Sequence, residues 1–171
     1  MKPTANRNPL EALHARIRAC TACRLSETRQ HAVPGEGPGD ARLVLVGEAP
    51  GRREDAAGRP FCGRSGDLLD RLLSEAGIRR GHAYITSCVK CRPPGNRNPT
   101  RDELAACVPQ HLEAQIECIA PSLIVLFGKT AAASLLGTDA PVKDLRGTVR
   151  EQRGRHWLVT YHPAAAMRFP D

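Results

Sequence analysis

Apolar residues recur along the chain in two alternating patterns, one typical of buried strands and one of amphipathic helices. Four short apolar runs bounded by Gly, Pro and polar residues indicate strands: RLVLVG (42–47), YIT (84–86), SLIVLF (122–127) and HWLVTY (156–161). Between them, apolar residues recur every three or four positions, which is the spacing of one helix face. Strands alternating with helices predict one three-layer α/β/α domain over residues 1–171, with a mainly parallel four-stranded central sheet.

Capping signals mark where several predicted helices begin. The first helix is expected to start at Asn8, with Pro9 at its first position, and to deliver the CTAC pair (20–23) near its end. A later helix begins at Thr100, which forms a capping box with Glu103. That helix is expected to bury Leu104, Val108, Leu112, Ile116 and Ile119. The helix after Gly63, which Gly77 ends, is expected to carry on one face Leu68, Leu69, Leu72, Leu73 and Ala76.

Segments rich in Gly, Pro and charged residues separate these elements and are predicted to be loops. They are VPGEGPGD (33–40), the stretch containing RREDAAGRPF (52–61), and CRPPGNRNP (91–99). Near the carboxyl end, an Arg-Gly turn at 153–154 joins the polar segment GTVREQ (147–152) to the last strand. A final helix is expected to begin at Pro163.

Residues with possible catalytic or binding roles lie at one edge of the predicted sheet. In parallel sheets, ligands bind beyond the carboxyl ends of the strands. The residues that follow the four runs are Glu48, Ser87, Gly128 and His162. The pattern therefore places the motifs GEAPG and YHP on the same rim, where a carboxylate and a histidine suit acid/base or charge-stabilising work. The alternatives are a simple tight turn at GEAPG and a helix-capping role for His162.

Charge and composition narrow the class of protein. The chain has 25 Lys+Arg against 18 Asp+Glu, a net charge of +7 that suits a polyanionic partner such as nucleic acid. The first residues contain no apolar run that resembles a signal peptide, and no stretch is apolar enough to span a bilayer. We therefore expect a soluble cytoplasmic protein without membrane association. Thiols stay reduced there, so the seven cysteines indicate metal binding or catalysis rather than disulfides.

Four cysteines have a spacing that favours a metal site. Cys20 and Cys23 form a CxxC pair, while Cys91 stands beside a proline-rich loop and Cys107 lies in a helix. Spacing alone does not separate zinc from an iron–sulfur cluster, and buried thiols are the other alternative. Cys88, three residues before Cys91, is a rival ligand. The cysteines expected to be spare are Cys62 and Cys118.

Two further features have alternative explanations. FGKT (127–130) resembles the end of a phosphate-binding loop, but Leu123 stands where that loop needs its first glycine, so we reject a nucleotide site. Phe61 lies in the polar segment GRPFCG, where an aromatic ring can stack on a nucleic-acid base. The alternative is an anchor that pins the loop to the core.

Four segments in a fixed order carry a family resemblance. They are GEAPGRREDAAGRPFCGRSGDLLDRLL (47–73), VKCRPPGNRNPTRDELAAC (89–107), LRG (145–147) and YHPAAAMR (161–168). Together they resemble the family-four uracil-DNA glycosylases, which are bacterial and archaeal enzymes with a [4Fe–4S] cluster. The similarity extends from Cys20 to Arg168, and the ordered set is far more specific than any single segment.

The resemblance implies a uracil-DNA glycosylase-like fold and a base-excision repair activity that hydrolyses the N-glycosidic bond of uracil and leaves an abasic site. No lysine is positioned by the resemblance to attack the sugar, so we expect a monofunctional enzyme that does not cut the strand. Arg168 and its HPAAAMR segment would lie against DNA. The implied ligands of a structural [4Fe–4S] cluster are Cys20, Cys23, Cys91 and Cys107.

The resemblance also implies roles at the rim. Glu48 would position or activate water, or stabilise positive charge on the sugar, and His162 would stabilise charge on a uracil carbonyl oxygen. Phe61 would stack on the flipped base. Backbone near Ala49 would contact uracil, and Gly47 would let the backbone approach it closely. Such donors and charges match a reaction that separates a cation-like sugar from an anionic base.

Two departures from the family pattern bear on function. The family has asparagine where this chain has Ser87 within YITSCVKC (84–91). An asparagine amide accepts from N3–H of uracil and donates to its O4, whereas a serine hydroxyl is shorter. We therefore hypothesise a slow, altered or broadened glycosylase. The family also continues into a longer C-terminal helix, which here is expected to be truncated or absent because only residues 164–171 remain.

Other functions stay open at this point. One alternative is a glycosylase for another deaminated base, with Ser87 as the discriminating residue. A second is a non-catalytic DNA-binding iron–sulfur protein, and a third is a zinc-bound α/β nucleotide-binding protein. The expected partner is uracil-containing DNA, single- or double-stranded, bound by a monomer.

Overall fold

A computed structural model describes residues 9–167 as a five-stranded sheet with helices on both faces. The strands are β1 Leu43–Gly47, β2 Ala83–Ser87, β3 Leu123–Phe127, β4 Val149–Gln152 and β5 Arg155–Thr160. They lie in the order β2-β1-β3-β5-β4. The pairs β1–β2, β1–β3 and β3–β5 are parallel, and only β4 is antiparallel to its neighbour. The predicted mainly parallel α/β sheet is confirmed, with β4 as a fifth strand beyond the four predicted.

Nine α-helices in the described residues cover the sheet. They are α1 Pro9–Ala19, α2 Leu25–Thr28, α3 Arg52–Ala57, α4 Arg64–Glu75, α5 Arg101–Cys107, α6 Ala114–Ile119, α7 Lys129–Leu136, α8 Val142–Leu145 and α9 Pro163–Ala166. A π-helical turn, Val108–Glu113, joins α5 to α6. Short 3₁₀ turns lie at Arg80–His82 and Pro94–Asn96. None of the described helices is long and apolar enough to cross a membrane. Pro9 opens α1 as predicted, whereas Asn8 lies outside the described residues.

The buried strands explain why their sequences read as continuous apolar runs. On β1, Val44 and Val46 face the cluster beneath α5, α6 and α7, while Leu45 faces the cluster beneath α4. Successive side chains of a strand point to opposite faces, so a strand buried on both sides needs apolar residues at every position.

The polar strand β4 shows the opposite case. All four of its residues are exposed, and it pairs only with β5. Arg153 and Gly154 form the predicted turn between them with φ of 53° and 67°, the left-handed backbone that two-residue hairpin loops require. Because β4 buries nothing, its sequence has no apolar alternation from which a strand is predicted.

One sequence prediction about the segment between β1 and β2 is wrong, and the apolar face of α4 is only partly buried. The stretch predicted as a loop contains α3, which Gly51 precedes and Gly58 ends in a left-handed conformation with φ of 67°. On α4, Leu69 and Leu73 are buried, but Leu72 is 46% exposed and Ala76 is exposed. The helix rests on the stripe that Gly66 begins, which leaves these two residues on the solvent side.

The start of α5 matches its predicted capping box. Thr100 Oγ1 accepts from the Glu103 N–H at 3.4 Å, and the Glu103 carboxylate accepts from the Thr100 N–H at 2.8 Å. Arg97 adds two hydrogen bonds to that carboxylate, at 2.6 and 2.8 Å. The Arg97 hydrogen bond is the main reason that the pKa of Glu103 falls from 4.5 to about 2.

This arrangement predicts an acid-dependent loss of stability. A carboxylate whose pKa is lowered by folding stabilises the native state above its unfolded pKa, and the contribution fades as pH falls towards the folded value. We expect Glu103→Gln to destabilise the protein at pH 7 and to differ progressively less from the wild type between pH 4.5 and 2. Urea unfolding at several pH values measures this. Glu75→Gln, on the exposed end of α4, is the control and is expected to have a small effect on stability. If the difference in unfolding free energy between Glu103→Gln and the wild type stays constant down to pH 2, the stabilising role of the Glu103 carboxylate is contradicted.

Candidate active site

A cavity of about 410 Å³ lies at the carboxyl edge of the parallel strands. The structure brings together around it the four positions that follow the predicted strands: Glu48, Ser87, Gly128 and His162. Ala49 and Phe61 also line it. Residues separated by more than one hundred positions in the chain meet here because parallel pairing places every carboxyl end at the same edge.

Glu48 follows β1 and is held by a residue of α7. Thr130 Oγ1 donates a hydrogen bond to Glu48 Oε2. Gly128, with φ of 90°, makes the sharp turn from β3 into α7 and so brings Thr130 to the rim. The FGKT segment therefore forms no phosphate loop but supplies a donor to the carboxylate, a role that no sequence motif indicated.

His162 lies two residues beyond β5 with a defined orientation. Its Nδ1 accepts a hydrogen bond from the Ala164 N–H at 3.1 Å, so it caps α9. Its ring is stacked on Phe61 with the centroids 5.4 Å apart. Burial lowers the pKa of His162, with Glu54 opposing the shift. The lowered pKa favours the neutral imidazole at pH 7, and because Nδ1 accepts from the Ala164 N–H, its proton is on Nε2. His162 therefore caps α9 and also lines the cavity, two roles that the sequence analysis treated as alternatives.

Phe61 is both an anchor and a wall of the cavity. Its side chain is 7% exposed and belongs to the apolar cluster beneath α4, and its ring lies 5.9 Å from Phe127. Its φ of 47° falls in the left-handed region, which a bulky residue seldom adopts. A Cβ on Gly47 would lie 2.9 Å from the Phe61 ring, and one on Gly66 would lie 1.9 Å from the Phe61 carbonyl oxygen. Two glycines thus make room for this conformation.

Arg80 holds the Phe61 loop from behind. Its guanidinium donates to the carbonyls of Pro60 at 2.8 Å and Phe61 at 3.2 Å. Glu36 and Asp70 pair with the same guanidinium at 2.9 and 2.7 Å. The sequence analysis did not predict this role of Arg80, because Arg80 lies in a turn 19 residues after Phe61.

Ser87 ends β2 and is buried at the cavity wall. Its carbonyl accepts a hydrogen bond at 2.7 Å from Lys90 Nζ, which also donates to Thr86 Oγ1 at 2.6 Å. Lys90 is 1% exposed, and burial lowers its pKa to about 8. The Lys90 ammonium holds the backbone at Ser87 through this hydrogen bond. The sequence analysis did not predict the role, because a lysine beside a cysteine motif resembles an ordinary exposed charge.

Glu54 is a second carboxylate on the cavity that the sequence analysis missed. It lies on α3, and its Oε1 accepts hydrogen bonds from the N–H groups of Cys62 and Gly63 at 3.1 and 3.0 Å. These bonds tie α3 to the start of α4 below the Phe61 loop. A capping pattern within RREDAAG is the signal that would have revealed both the helix and this residue.

A smaller cavity behind the first is lined by four cysteines: Cys20, Cys23, Cys91 and Cys107. Burial raises the pKa of Cys107 to about 11. Cys88 does not line this cavity and is buried in the cluster beneath α5, α6 and α7, where burial raises its pKa to about 12. Among the described residues, no three His, Cys, Asp or Glu side chains are grouped to hold a single metal ion.

Donors and cations surround the cysteine sulfurs. Arg29 Nη1 donates to Cys91 Sγ at 3.0 Å, and the Ala22 N–H donates to Cys20 Sγ at 3.5 Å. Lys90 also lines this cavity, and of the described residues around it none is an Asp or Glu. Burial raises the pKa of the Cys91 thiol, and Arg29 opposes that shift. Cations and N–H donors around sulfur favour the thiolate over the neutral thiol.

His111 lies on the π-helical turn and lines the same cavity. It is 3% exposed, and neither ring nitrogen has a hydrogen-bond partner. Leaving a buried polar group unpaired costs about 1–3 kcal/mol. Burial lowers the pKa of His111 to about 4. Its position was missed because the predicted helix was traced through its apolar residues alone.

The remaining predicted positions have separate outcomes. Ala49 lines the larger cavity and also packs against the apolar cluster that contains Cys91 and Cys107, so one residue separates the two sites. Arg168, predicted to contact DNA, lies outside the described residues. The helix after the HP motif, α9, has four residues.

Comparison with known proteins identifies the family of this chain. A Type-4 uracil-DNA glycosylase from Pyrobaculum aerophilum is 43% identical, over 94% of this chain and 86% of its own length. The protein of the same name from Thermotoga maritima is 46% identical, over 93% and 83%. A Type-5 uracil-DNA glycosylase from Thermus thermophilus is 34% identical, over 76% and 68%. The model of the uracil DNA glycosylase superfamily matches residues 34–171, and the chain belongs to that family.

Proposed function

We propose that this protein hydrolyses the N-glycosidic bond of uracil in DNA and leaves an abasic site. The observation that carries the proposal is that the Glu48 carboxylate and a neutral His162 line the same cavity, with the His162 ring stacked on Phe61. A carboxylate near the sugar and a donor near the base match the charges that develop as the bond breaks. Relatives named Type-4 uracil-DNA glycosylase support the same substrate.

His162 acts on the leaving base. As the bond from the sugar to N1 breaks, its electron pair moves into uracil and the base carbonyl oxygens gain negative charge. The Nε2–H of His162 donates a hydrogen bond to one of them. A neutral donor stabilises this charge without transferring its proton, and the Ala164 N–H keeps the imidazole in the required tautomer.

Glu48 acts on the sugar. Its negative charge stabilises the cation-like sugar, and its carboxylate orients the water that bonds to C1′ and accepts that water's proton. The released uracil anion takes up a proton from solvent. Thr130 keeps the carboxylate aimed at the rim rather than free to rotate.

Access to the cavity requires the base to leave the DNA stack. Flipping costs a few kcal/mol and is least costly in single strands or mismatches. Phe61 is held rigidly by the Arg80 hydrogen bonds and offers a fixed surface for the flipped base. The net charge of +7 favours the DNA backbone whichever strand form is bound.

We also propose that Cys20, Cys23, Cys91 and Cys107 hold a [4Fe–4S] cluster. Such a cluster with four thiolates is anionic, and a cavity with Arg29, Lys90 and backbone N–H donors but no carboxylate in its described lining fits that charge. The cluster would supply cross-linking of distant chain segments, with no part in the hydrolysis.

One observation supports a cluster over zinc in this proposal. A tetrahedral zinc ion with Zn–S bonds of about 2.3 Å needs four sulfurs about 3.8 Å from one another. The four cysteines line one cavity, but among the described residues no three His, Cys, Asp or Glu side chains are grouped to hold a single metal ion.

Ser87 supports a second candidate function, the excision of another deaminated base. The serine stands at the cavity wall. Its hydroxyl is shorter than an amide and has a single oxygen, so it does not offer the separate acceptor and donor atoms that an asparagine places against N3–H and O4 of uracil. Weaker hydrogen bonding to N3–H and O4 lowers the discrimination between uracil and its analogues.

Compartment and assembly are further parts of the proposal. All seven cysteines are free thiols, which fits the reducing cytoplasm. Among the described residues, the large hydrophobic side chains that are exposed are scattered: Leu72, Val149 and Tyr161. Isolated apolar residues form no dimer interface, so we propose a monomer.

Single-turnover excision from a uracil-containing single-stranded oligonucleotide tests the activity. We expect the wild type to release uracil and Glu48→Gln to be slower by about 10²-fold or more with oligonucleotide binding retained. Thr130→Val is expected to slow excision by about tenfold, while Thr130→Ser keeps the hydroxyl and the rate. Thr138→Val, in the loop after α7, is the control. No uracil release from the wild type, with DNA bound, would favour the non-catalytic binding protein.

Ser87→Asn tests the base preference. We expect the variant to excise uracil faster than the wild type and to discriminate more strongly against other deaminated bases, because the amide supplies an acceptor and a donor. Paired oligonucleotides that carry uracil or hypoxanthine at the same position give the two rates. Ser74→Asn, on the exposed side of α4, is the matched control. Equal rates and equal preference in Ser87→Asn and wild type would contradict this hypothesis.

Iron and sulfide content test the cofactor. Anaerobically purified protein is expected to be brown, with about four iron atoms and four sulfides per chain. Cys107→Ser is expected to lose iron and visible absorbance, whereas Cys118→Ser, whose thiol lies outside the cavity, keeps both. Colourless wild-type protein with one zinc per chain would replace the cluster by a zinc site.

A further inference from the structure

His111 has an unexplained position in the cysteine cavity. It is almost fully buried, and both ring nitrogens lack a partner. Buried imidazoles ordinarily pair with a carbonyl, a carboxylate or water. An orphaned side chain that lines a cavity indicates a group that completes its hydrogen bonds there.

The local backbone explains how His111 reaches this position. It stands four residues after Cys107, so both lie on the same side of the helical segment. Pro109 lacks an N–H and interrupts the regular ladder between them, and the chain forms the π-helical turn Val108–Glu113 instead. Such turns are rare and are frequently found at functional sites.

The other donors around the cavity already reach sulfur. Arg29 donates to Cys91 Sγ, the Ala22 N–H donates to Cys20 Sγ, and Gln110 Nε2 lies 4.0 Å from Cys20 Sγ. His111 is thus one of several N–H donors around the cysteines. Burial lowers the pKa of His111 more than the Gln110 backbone raises it, but no acceptor meets hydrogen-bond geometry with either ring nitrogen. In either protonation state, an imidazole carries at least one N–H.

We propose that His111 donates a hydrogen bond to a sulfur atom of the iron–sulfur cluster and thereby raises the reduction potential of that cluster. The inference rests on the proposed cofactor and adds a residue that holds it without ligating iron. A hydrogen bond to sulfur stabilises the more negative, reduced form, and such bonds set cluster potentials in proteins. His111 is therefore a positioning and tuning residue rather than a ligand.

The test uses the brown holoprotein and two replacements of different chemistry. His111→Leu fills the same space without a donor, while His111→Gln keeps an N–H of similar reach. We expect His111→Leu to retain its iron but to shift the midpoint potential of the cluster downward. The expected shift corresponds to about a tenfold change in the reduction equilibrium, about 59 mV for one electron. His111→Gln is expected to lie close to the wild type. His156→Leu, exposed on β5, is the control for loss of a histidine.

A second measurement distinguishes a donor from a ligand. Pulsed EPR of the paramagnetic cluster in protein labelled with ¹⁵N-histidine is expected to show a weak nitrogen coupling that disappears in His111→Leu. A strong coupling typical of a direct Fe–N bond overturns the donor assignment. So does an unchanged potential in an iron-replete His111→Leu protein. Wild-type protein without iron overturns the cofactor proposal itself, and this inference with it.

Discussion

The parallel pairing of β1 with β2 and β3, and of β3 with β5, is the constraint on which the rest of the structure depends. It directs four strand ends to one edge and leaves a cavity there. Each strand end then supplies one functional group from a distant part of the sequence. Because both faces of the sheet are covered, the strands are buried and rigid, and the groups that follow them inherit that rigidity.

The walls of the two cavities are in contact. Lys90 reaches from the cysteine cavity to the carbonyl of Ser87, and Ala49 packs on the cysteine side while it lines the other cavity. A buried ammonium without a carboxylate at hydrogen-bond distance is electrostatically costly, and an anionic cluster beside it offsets that cost. On the proposed assignment, the cofactor therefore stabilises the wall of the base cavity as well as the segments that its ligands join.

The sequence predicted the features that depend on local pattern. The four apolar strands, the Thr100 capping box and the convergence of Glu48 and His162 follow from periodicity and from the geometry of parallel sheets. What it did not predict depends on tertiary contact. β4 is a strand only because β5 offers a partner, α3 folds from a charged stretch without an apolar stripe, and Thr130 matters only because Glu48 lies opposite. His111 was hidden for a related reason, since its role depends on a cavity that cysteines from distant parts of the chain line, and no local pattern shows that cavity.

The segment from Ser87 to Cys91 has a consequence for how such an enzyme changes over evolutionary time. Within five residues it carries a wall of the base cavity, the buried Lys90 and a proposed cluster ligand. Backbone movement at Ser87 would pull on Lys90 and Cys91 together, so we expect an insertion or deletion in this stretch to disturb both cavities at once. On the proposed role of Ser87, a new base preference is reached by exchanging the side chain at position 87 on an unchanged backbone. The route to a new substrate would then be a single substitution rather than a remodelled loop.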